Sequence, residues 1–87
     1  MAFTVYILHS KNYNRYYIGQ TKDLSRRLYE HNSGQSKSTK YGIPWELIYK
    51  KQFSTRSQAV KYEKKLKNMK SHNYLEELVL NDNKQSG

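Results

Sequence analysis

Alternating apolar and polar positions near the start of the chain predict a β-hairpin. Residues 3–9, FTVYILH, are rich in β-branched and aromatic side chains, and a strand there places Tyr6 on the opposite face from Val5. The polar segment SKNYN predicts a loop, and RYYIG at 15–19 predicts a second, antiparallel strand. In this hairpin, Tyr6 and Tyr17 can point to the same face.

The spacing of apolar residues then changes from the two-residue period of a strand to the roughly 3.6-residue period of a helix. Residues 21–32 predict a helix, with Thr21 as a possible N-cap and Asp23 in the first turn, where the helix dipole favours an anion. Leu24 and Leu28 define its buried face. The sequence Asn-Ser-Gly that follows is a stop signal.

The second half repeats the change of period. Residues 33–44 predict a mobile surface loop, Trp45–Phe53 a third strand, 54–70 a helix capped by Thr55, and 71–80 a short last helix. The apolar stripe of the longer helix comprises Ala59, Tyr62, Leu66 and Met69. The order β-β-α-β-α-α predicts an α/β fold with a three-stranded antiparallel or mixed sheet flanked by helices.

Composition limits this fold to one small core. The 87 residues suffice for a single domain, which we expect over 1–81 with a polar tail at 82–87. The absence of cysteine excludes disulfides, thiolate zinc sites and a cysteine nucleophile. With no apolar run long enough for a membrane span and no secretory signal pattern, we expect a soluble cytoplasmic protein.

The charge balance points to a polyanionic partner. Sixteen Lys and Arg oppose seven Asp and Glu, which gives a net charge of +9. Nucleic acid is therefore the first candidate, and a merely solubilising basic surface is the alternative. The lysines predicted to contact nucleic acid are Lys22, Lys37, Lys40, Lys64, Lys67 and Lys70.

Three ionisable residues fall next to apolar faces of the predicted helices. Arg27 and His31 lie beside the buried leucines of the first helix, so Arg27 predicts either an anion site or an ion pair, with Asp23 as its partner. Glu63 lies at the edge of the apolar stripe, where a carboxylate needs a cation or a metal. An i, i+4 pair with Lys67 is the simpler alternative.

The paired phenols complete a possible reactive group. Each inward phenol needs a hydrogen-bond partner, which makes Tyr6 and Tyr17 unusual choices for a simple core. A phenol can accept a proton from water if a neighbouring cation lowers its pKa. Arg26, Tyr16 and Tyr29 are predicted to be surface or packing residues.

The motif TVY, ten residues, then YIG resembles the signature of the GIY-YIG nuclease superfamily, and the resemblance extends through LSRRLYEHNSG, PWELIYKKQF and AVKYEKKLK. The chain is most similar to small stand-alone members related to the N-terminal nuclease domain of the bacterial excision-repair endonuclease. The resemblance implies a metal-dependent endonuclease that cuts DNA.

The resemblance also implies roles for individual residues. Tyr17 or Tyr6 would act as general base or orient water, Arg27 would hold the scissile phosphate, and His31 would lie near the leaving group or the base. Glu63 would be the single protein ligand of one Mg²⁺ or Mn²⁺. The remaining implied position is a tight turn under the site at Gly19.

Two positions depart from the family pattern. Thr4 replaces the first glycine of the signature, and Gln20 stands where repair-type domains often carry lysine, which removes one cation near the phosphate. A nucleic-acid-binding module with little or no cleavage activity is therefore the second hypothesis. A basic domain that binds protein is the third.

Overall fold

The secondary structure follows the predicted order. The structure is a computed structural model that describes residues 2–37, 39–69 and 75–80. Its elements are β1 (Phe3–Ser10), β2 (Arg15–Thr21), α1 (Leu24–Asn32), a 3₁₀ turn (Lys40–Gly42), β3 (Trp45–Phe53), α2 (Arg56–Met69) and a helix α3 described over 75–80. The predicted tail at 82–87 lies outside the described residues.

One antiparallel sheet with the strand order β2-β1-β3 forms the centre of the fold. Because β1 is the middle strand, both of its faces are covered, and five consecutive residues from Thr4 to Leu8 are buried. A register shift between Ile7 and Leu8 interrupts the pairing with β3. The hydrophobic core therefore has two halves, one on each side of the sheet.

The two faces carry different side chains. On the α2 face, Val5, Ile7 and Tyr49 pack with Ala59 and Leu66 of α2. The α1 face is more aromatic: Tyr6, Leu8 and Trp45 form its buried centre, with Tyr17, Leu24, Leu28, Ile43 and Leu47 packed around them. The sheet thus presents Tyr6 and Tyr17 to α1, whereas Tyr16 and Tyr49 lie on the α2 face.

The first helix begins later than the sequence predicts. Thr21 was the predicted N-cap, but it pairs with Thr4 as the last residue of β2. The cap is Asp23, whose Oδ1 accepts a hydrogen bond of 3.1 Å from the backbone N–H of Arg26. Thr21 Oγ1 instead accepts from the N–H of Asp23 at 3.1 Å. The strand pairing therefore takes precedence over the local cap signal.

The predicted surface loop before β3 is partly buried. Thr39 and Gly42 are buried, and Lys40–Gly42 form a 3₁₀ turn. Asn32, at the end of α1, reaches the start of β3: its Nδ2 donates to the Trp45 carbonyl at 3.0 Å, and its Oδ1 accepts from the Trp45 N–H at 2.6 Å. This connection closes the α1 face of the sheet.

The predicted cap of α2 is confirmed, but one residue of its apolar stripe is not. Thr55 Oγ1 accepts a hydrogen bond of 3.2 Å from the Gln58 N–H, whereas the Gln58 side chain bonds to Ser54. Ala59 and Leu66 are fully buried, but Met69 is 45% exposed because α2 extends past the edge of the core. Across the described ranges, the helices are too short or too polar to cross a bilayer.

Candidate active site

The two phenols of the hairpin meet on the α1 face, as predicted. The ring centroids of Tyr6 and Tyr17 are 6.3 Å apart. Tyr6 is paired across the ladder with Gly19, where an added Cβ would come within 2.6 Å of the phenol oxygen. Gly19 therefore does not form the predicted turn; it lies inside β2, and its missing side chain makes room for the Tyr6 ring.

His31 holds the centre of this cluster. It is fully buried, its Nε2 lies 3.0 Å from Tyr6 Oη, and its Nδ1 lies 2.7 Å from Thr39 Oγ1. The Tyr17 ring packs edge-on against the imidazole at a centroid distance of 4.8 Å. Both ring nitrogens thus have hydroxyl partners, which keeps the imidazole in one orientation.

Burial favours the neutral form of both members of the Tyr6–His31 pair. It raises the pKa of Tyr6 to about 12, and the neighbouring Tyr17 adds to that effect, while Arg27 opposes it. The pKa of His31 is lowered, first by burial and then by the Arg27 charge. The expectation that a neighbouring cation leaves the phenol with a lowered pKa is therefore wrong for Tyr6. Arg27 does lower the Tyr6 pKa, but desolvation raises it by more.

Arg27 lies between the phenols and an acidic partner on its own helix. Its Nη1 donates to Glu30 Oε1 at 2.9 Å, so the predicted partner, Asp23, is wrong; Asp23 caps the helix instead. The Glu30 hydrogen bond is the main cause of a raised Arg27 pKa, and hydrogen bonding to Tyr6 and Tyr17 adds to it. The guanidinium thus stands within reach of both phenols.

A polar hollow adjoins this arginine at the start of α1. It encloses about 330 Å³ and is lined by Thr21, Lys22, Asp23, Arg26, Arg27 and Glu30. Three of these residues are cations and two are carboxylates. A phosphate group entering the hollow would meet a guanidinium fork, which suits an anion, while Asp23 already caps the helix N-terminus.

Glu63 forms the i, i+4 ion pair that was the simpler of its two interpretations. Its Oε2 forms an ion pair of 2.8 Å with Lys67 Nζ, yet its side chain is only 18% exposed. It is close enough to Tyr6 for its charge to raise the Tyr6 pKa. The carboxylate is therefore paired with Lys67, which is 54% exposed, and acts on Tyr6 only through its charge.

The donor set around Glu63 limits the kind of metal that would fit. Within the described residues, no three His, Cys, Asp or Glu side chains are grouped in a way that could hold a metal ion. A single carboxylate suits a hard cation such as Mg²⁺, which keeps most of its water ligands and binds substrate phosphates. The chemistry of the site fits that kind of ion and does not fit zinc.

Sequence comparison identifies this arrangement. The profile of the GIY-YIG catalytic domain matches residues 2–75. The chain belongs to the GIY-YIG family. A GIY-YIG relative, the UPF0213 protein YazA of Bacillus subtilis, is 41% identical over 76 residues, which cover 83% of this chain and 76% of YazA. A UPF0213 protein of Staphylococcus saprophyticus is 39% identical over 64 residues, 72% of this chain and 77% of that one.

A solved GIY-YIG structure supports the fold. The solution NMR structure of a UPF0213 protein from Bacillus halodurans matches with a TM-score of 0.57 and 34% sequence identity, covering 91% of this chain and 83% of that chain. The GIY-YIG domain is a nuclease fold, and the matched region includes every residue predicted for the site. The resemblance expected from the TVY and YIG motifs is thereby confirmed.

The predicted nucleic-acid contacts are distributed around the molecule. Lys22 lines the polar hollow beside Arg27, and Lys37 and Lys40 are exposed in the segment that leads to β3. Lys64 and Lys67 are exposed on α2, and Lys67 is paired with Glu63. Lys70 lies outside the described residues. As predicted, Arg26 and Tyr29 face solvent and Tyr16 packs on the α2 face.

Thr39 is the site residue that sequence reasoning missed. It is 1% exposed, its hydroxyl contacts His31, and its carbonyl accepts a hydrogen bond of 2.7 Å from the Trp45 indole. The residue lies in a polar, glycine-bearing segment that has the composition of a surface loop. A threonine in such a segment carries no sequence signal for burial, so only the folded chain reveals it.

Proposed function

We propose that this protein hydrolyses phosphodiester bonds in nucleic acid, with DNA as the first substrate to test. One observation supports this best: Tyr6, Tyr17 and His31 form one contact cluster, and the charges of Arg27 and Glu63 both act on Tyr6. A net charge of +9 favours a polyanionic substrate. The match to the GIY-YIG catalytic domain, which is a nuclease fold, also supports the proposal.

In this proposal, Tyr17 acts on the attacking water. It is only partly buried, whereas Tyr6 is 1% exposed, has its pKa raised to about 12, and is engaged with His31. Tyr17 orients the water through its hydroxyl group, and solvent takes the water proton as the oxygen attacks phosphorus. Tyr6 and His31 hold the Tyr17 ring in place. The bond from phosphorus to the leaving oxygen then breaks, and solvent supplies the proton that this oxygen needs.

Arg27 and Glu63 have complementary roles. Arg27 binds the scissile phosphate and stabilises the negative charge that grows in the transition state. Glu63 would hold one Mg²⁺ or Mn²⁺, which supplies Lewis-acid stabilisation of the same phosphate when bound. Lys67 neutralises Glu63 in its present pairing, so exchange of Lys67 for the metal is part of the proposal.

A cleavage assay with matched variants tests the proposal. Plasmid, single-stranded and branched DNA are incubated with Mg²⁺, with Mn²⁺ or with EDTA. We expect metal-dependent cutting that Glu63→Gln abolishes and that Arg27→Ala reduces by about 100-fold or more. Arg56→Ala is the control for Arg27 and Glu46→Gln the control for Glu63, because each removes the same charge from an exposed position outside the polar hollow.

The assay can also reject the proposal. Cutting that is absent with every substrate and metal would refute it, as would a Glu63→Gln variant that cuts at the parent rate. The Glu63–Lys67 ion pair favours a second candidate, a binding module with little cleavage activity, because that pair satisfies the carboxylate without a metal. Salt-sensitive DNA binding without cutting would support that candidate.

A further inference from the structure

An aromatic cleft lies next to the catalytic cluster and has no part in the chemistry described so far. The cleft is lined by five aromatic residues, of which Tyr16 packs its ring on the α2 face, together with Arg15, and it encloses about 300 Å³, a volume typical of the smaller ligand sites. Its lining comprises Tyr13, Arg15, Tyr16, Tyr17, Tyr41 and Trp45. Tyr17 belongs to both the cleft and the phenol cluster, and Thr39 contacts both.

The walls of the cleft are held in place from beneath. The Trp45 indole donates to the Thr39 carbonyl at 2.7 Å, and its ring lies edge-on to Tyr17 at 6.4 Å. A Cβ on Gly42 would overlap the indole, so the glycine allows the ring to lie flat against the chain. Because these contacts set the Trp45 and Tyr17 rings in advance, a ligand entering the cleft pays no cost for ordering those two rings.

Two of the rings are too exposed to serve the core. Tyr13 is 61% exposed and Tyr41 is 76% exposed. Tyr13 lies in the loop between β1 and β2, and Tyr41 lies in the 3₁₀ turn between α1 and β3. Lys40 Nζ lies 5.0 Å from the Tyr41 ring centroid. Arg15 is also exposed. Aromatic faces interleaved with cations are the surface that binds a base together with its backbone.

We propose that the aromatic cleft binds one unpaired nucleobase by stacking, while the adjacent phosphate of the same strand lies at Arg27. A base inside a duplex has both faces covered by its neighbours, so a cleft that stacks on those faces selects a nucleotide outside the helix. The inference rests on the nucleic-acid substrate of the proposed function. The inference adds that the substrate contains an unpaired nucleotide, and that binding of its base in the cleft positions the strand at Arg27.

Binding measurements in EDTA test this without cleavage. The probes are a short thymidine strand, an abasic strand of the same length and charge, and a blunt duplex. We expect Tyr41→Ala and Tyr13→Ala each to weaken thymidine-strand binding by about 5-fold or more and to leave abasic-strand and duplex binding unchanged. The matched control is Tyr29→Ala, which removes an equally exposed ring, 61%, from α1 outside the cleft.

Fluorescence gives a second measurement on the same samples. Trp45 is the single tryptophan of the chain, so its emission reports on the cleft alone. We expect the thymidine strand to quench it and the abasic strand, at equal saturation, to leave it unchanged. Far-ultraviolet circular dichroism of each variant confirms that the fold is intact.

Three results would overturn the inference. They are equal binding of the thymidine and abasic strands by the parent protein, unchanged thymidine-strand binding by both tyrosine variants, and no binding of any strand at low salt. Failure of the proposed function is distinguishable, because a protein that discriminates bases in EDTA but cuts nothing with metal keeps the cleft and loses the nuclease activity.

Discussion

At the scale of the residue, His31 links protonation of the site to stability of the fold. Burial and Arg27 lower its pKa, against a weaker opposing effect of Glu30, whereas in the unfolded chain it returns to about 6.5. The unfolded chain therefore binds the proton more readily, so the stability contribution is complete above about pH 6.5 and is lost as pH falls through the folded pKa. We expect the free energy of unfolding, measured in urea, to decrease as the pH is lowered from about 6.5 through the folded pKa of His31.

Matched variants isolate this histidine. His31→Gln removes its part of the pH dependence, although the variant is less stable at every pH because a buried contact is lost. His9→Gln serves as the control, since His9 bonds to Asn14 at the other end of the hairpin. If urea midpoints of the parent and of His31→Gln change identically with pH, His31 is not the group that titrates.

Thr39 acts as a positioning residue for the same imidazole. Its hydroxyl lies 2.7 Å from His31 Nδ1 and thereby sets which nitrogen faces Tyr6. We expect Thr39→Val, which keeps the shape, to cost about 1 to 3 kcal/mol of stability and to change the His31 tautomer seen by nitrogen NMR. Thr39→Ser should restore the parent tautomer. A valine variant with the parent ring shifts would contradict the role.

At the scale of the element, the connection from α1 to β3 depends on one side chain. Asn32 makes two hydrogen bonds to the backbone of Trp45, of 3.0 and 2.6 Å, and so ties the end of the helix to the start of the strand. Asn32→Ala leaves partly buried backbone groups unpaired, and we expect a loss of about 1 to 3 kcal/mol in urea unfolding. Ser33→Ala, at an exposed position next to it, should change stability little. Equal stabilities of the two variants would show that the tie contributes nothing.

These contacts also mark the limit of prediction from sequence. The strands, the helices and the shared face of Tyr6 and Tyr17 follow from local periodicity, and they are confirmed. The helix start was wrong because pairing of Thr21 with Thr4 joins residues far apart in sequence. The Arg27 partner was wrong because capping occupies Asp23. The catalytic roles of the residues within the site stay predictions.

At the scale of the whole molecule, the net charge of +9 must be balanced when a polyanion binds. Release of counterions makes affinity fall with salt, with a logarithmic slope of about −0.7 per phosphate neutralised on a single strand. Lys40, beside Tyr41 of the aromatic cleft, is placed to neutralise one such phosphate. Lys51 is not, because its Nζ lies 5.1 Å from the Tyr62 ring centroid, on the α2 face.

Comparison of variants of these two lysines tests whether a bound strand follows the α1 face or contacts the basic surface without a preferred face. Each of Lys40→Gln and Lys51→Gln removes one positive charge, so their net charges are equal. If the strand follows the α1 face, Lys40→Gln makes the salt slope shallower by about 0.7 and Lys51→Gln leaves it near the parent value. Titrations of a thymidine strand in EDTA over a series of salt concentrations measure both slopes. Equal changes for the two variants would mean that the strand has no preferred face, which would remove the electrostatic support for a substrate path past Arg27.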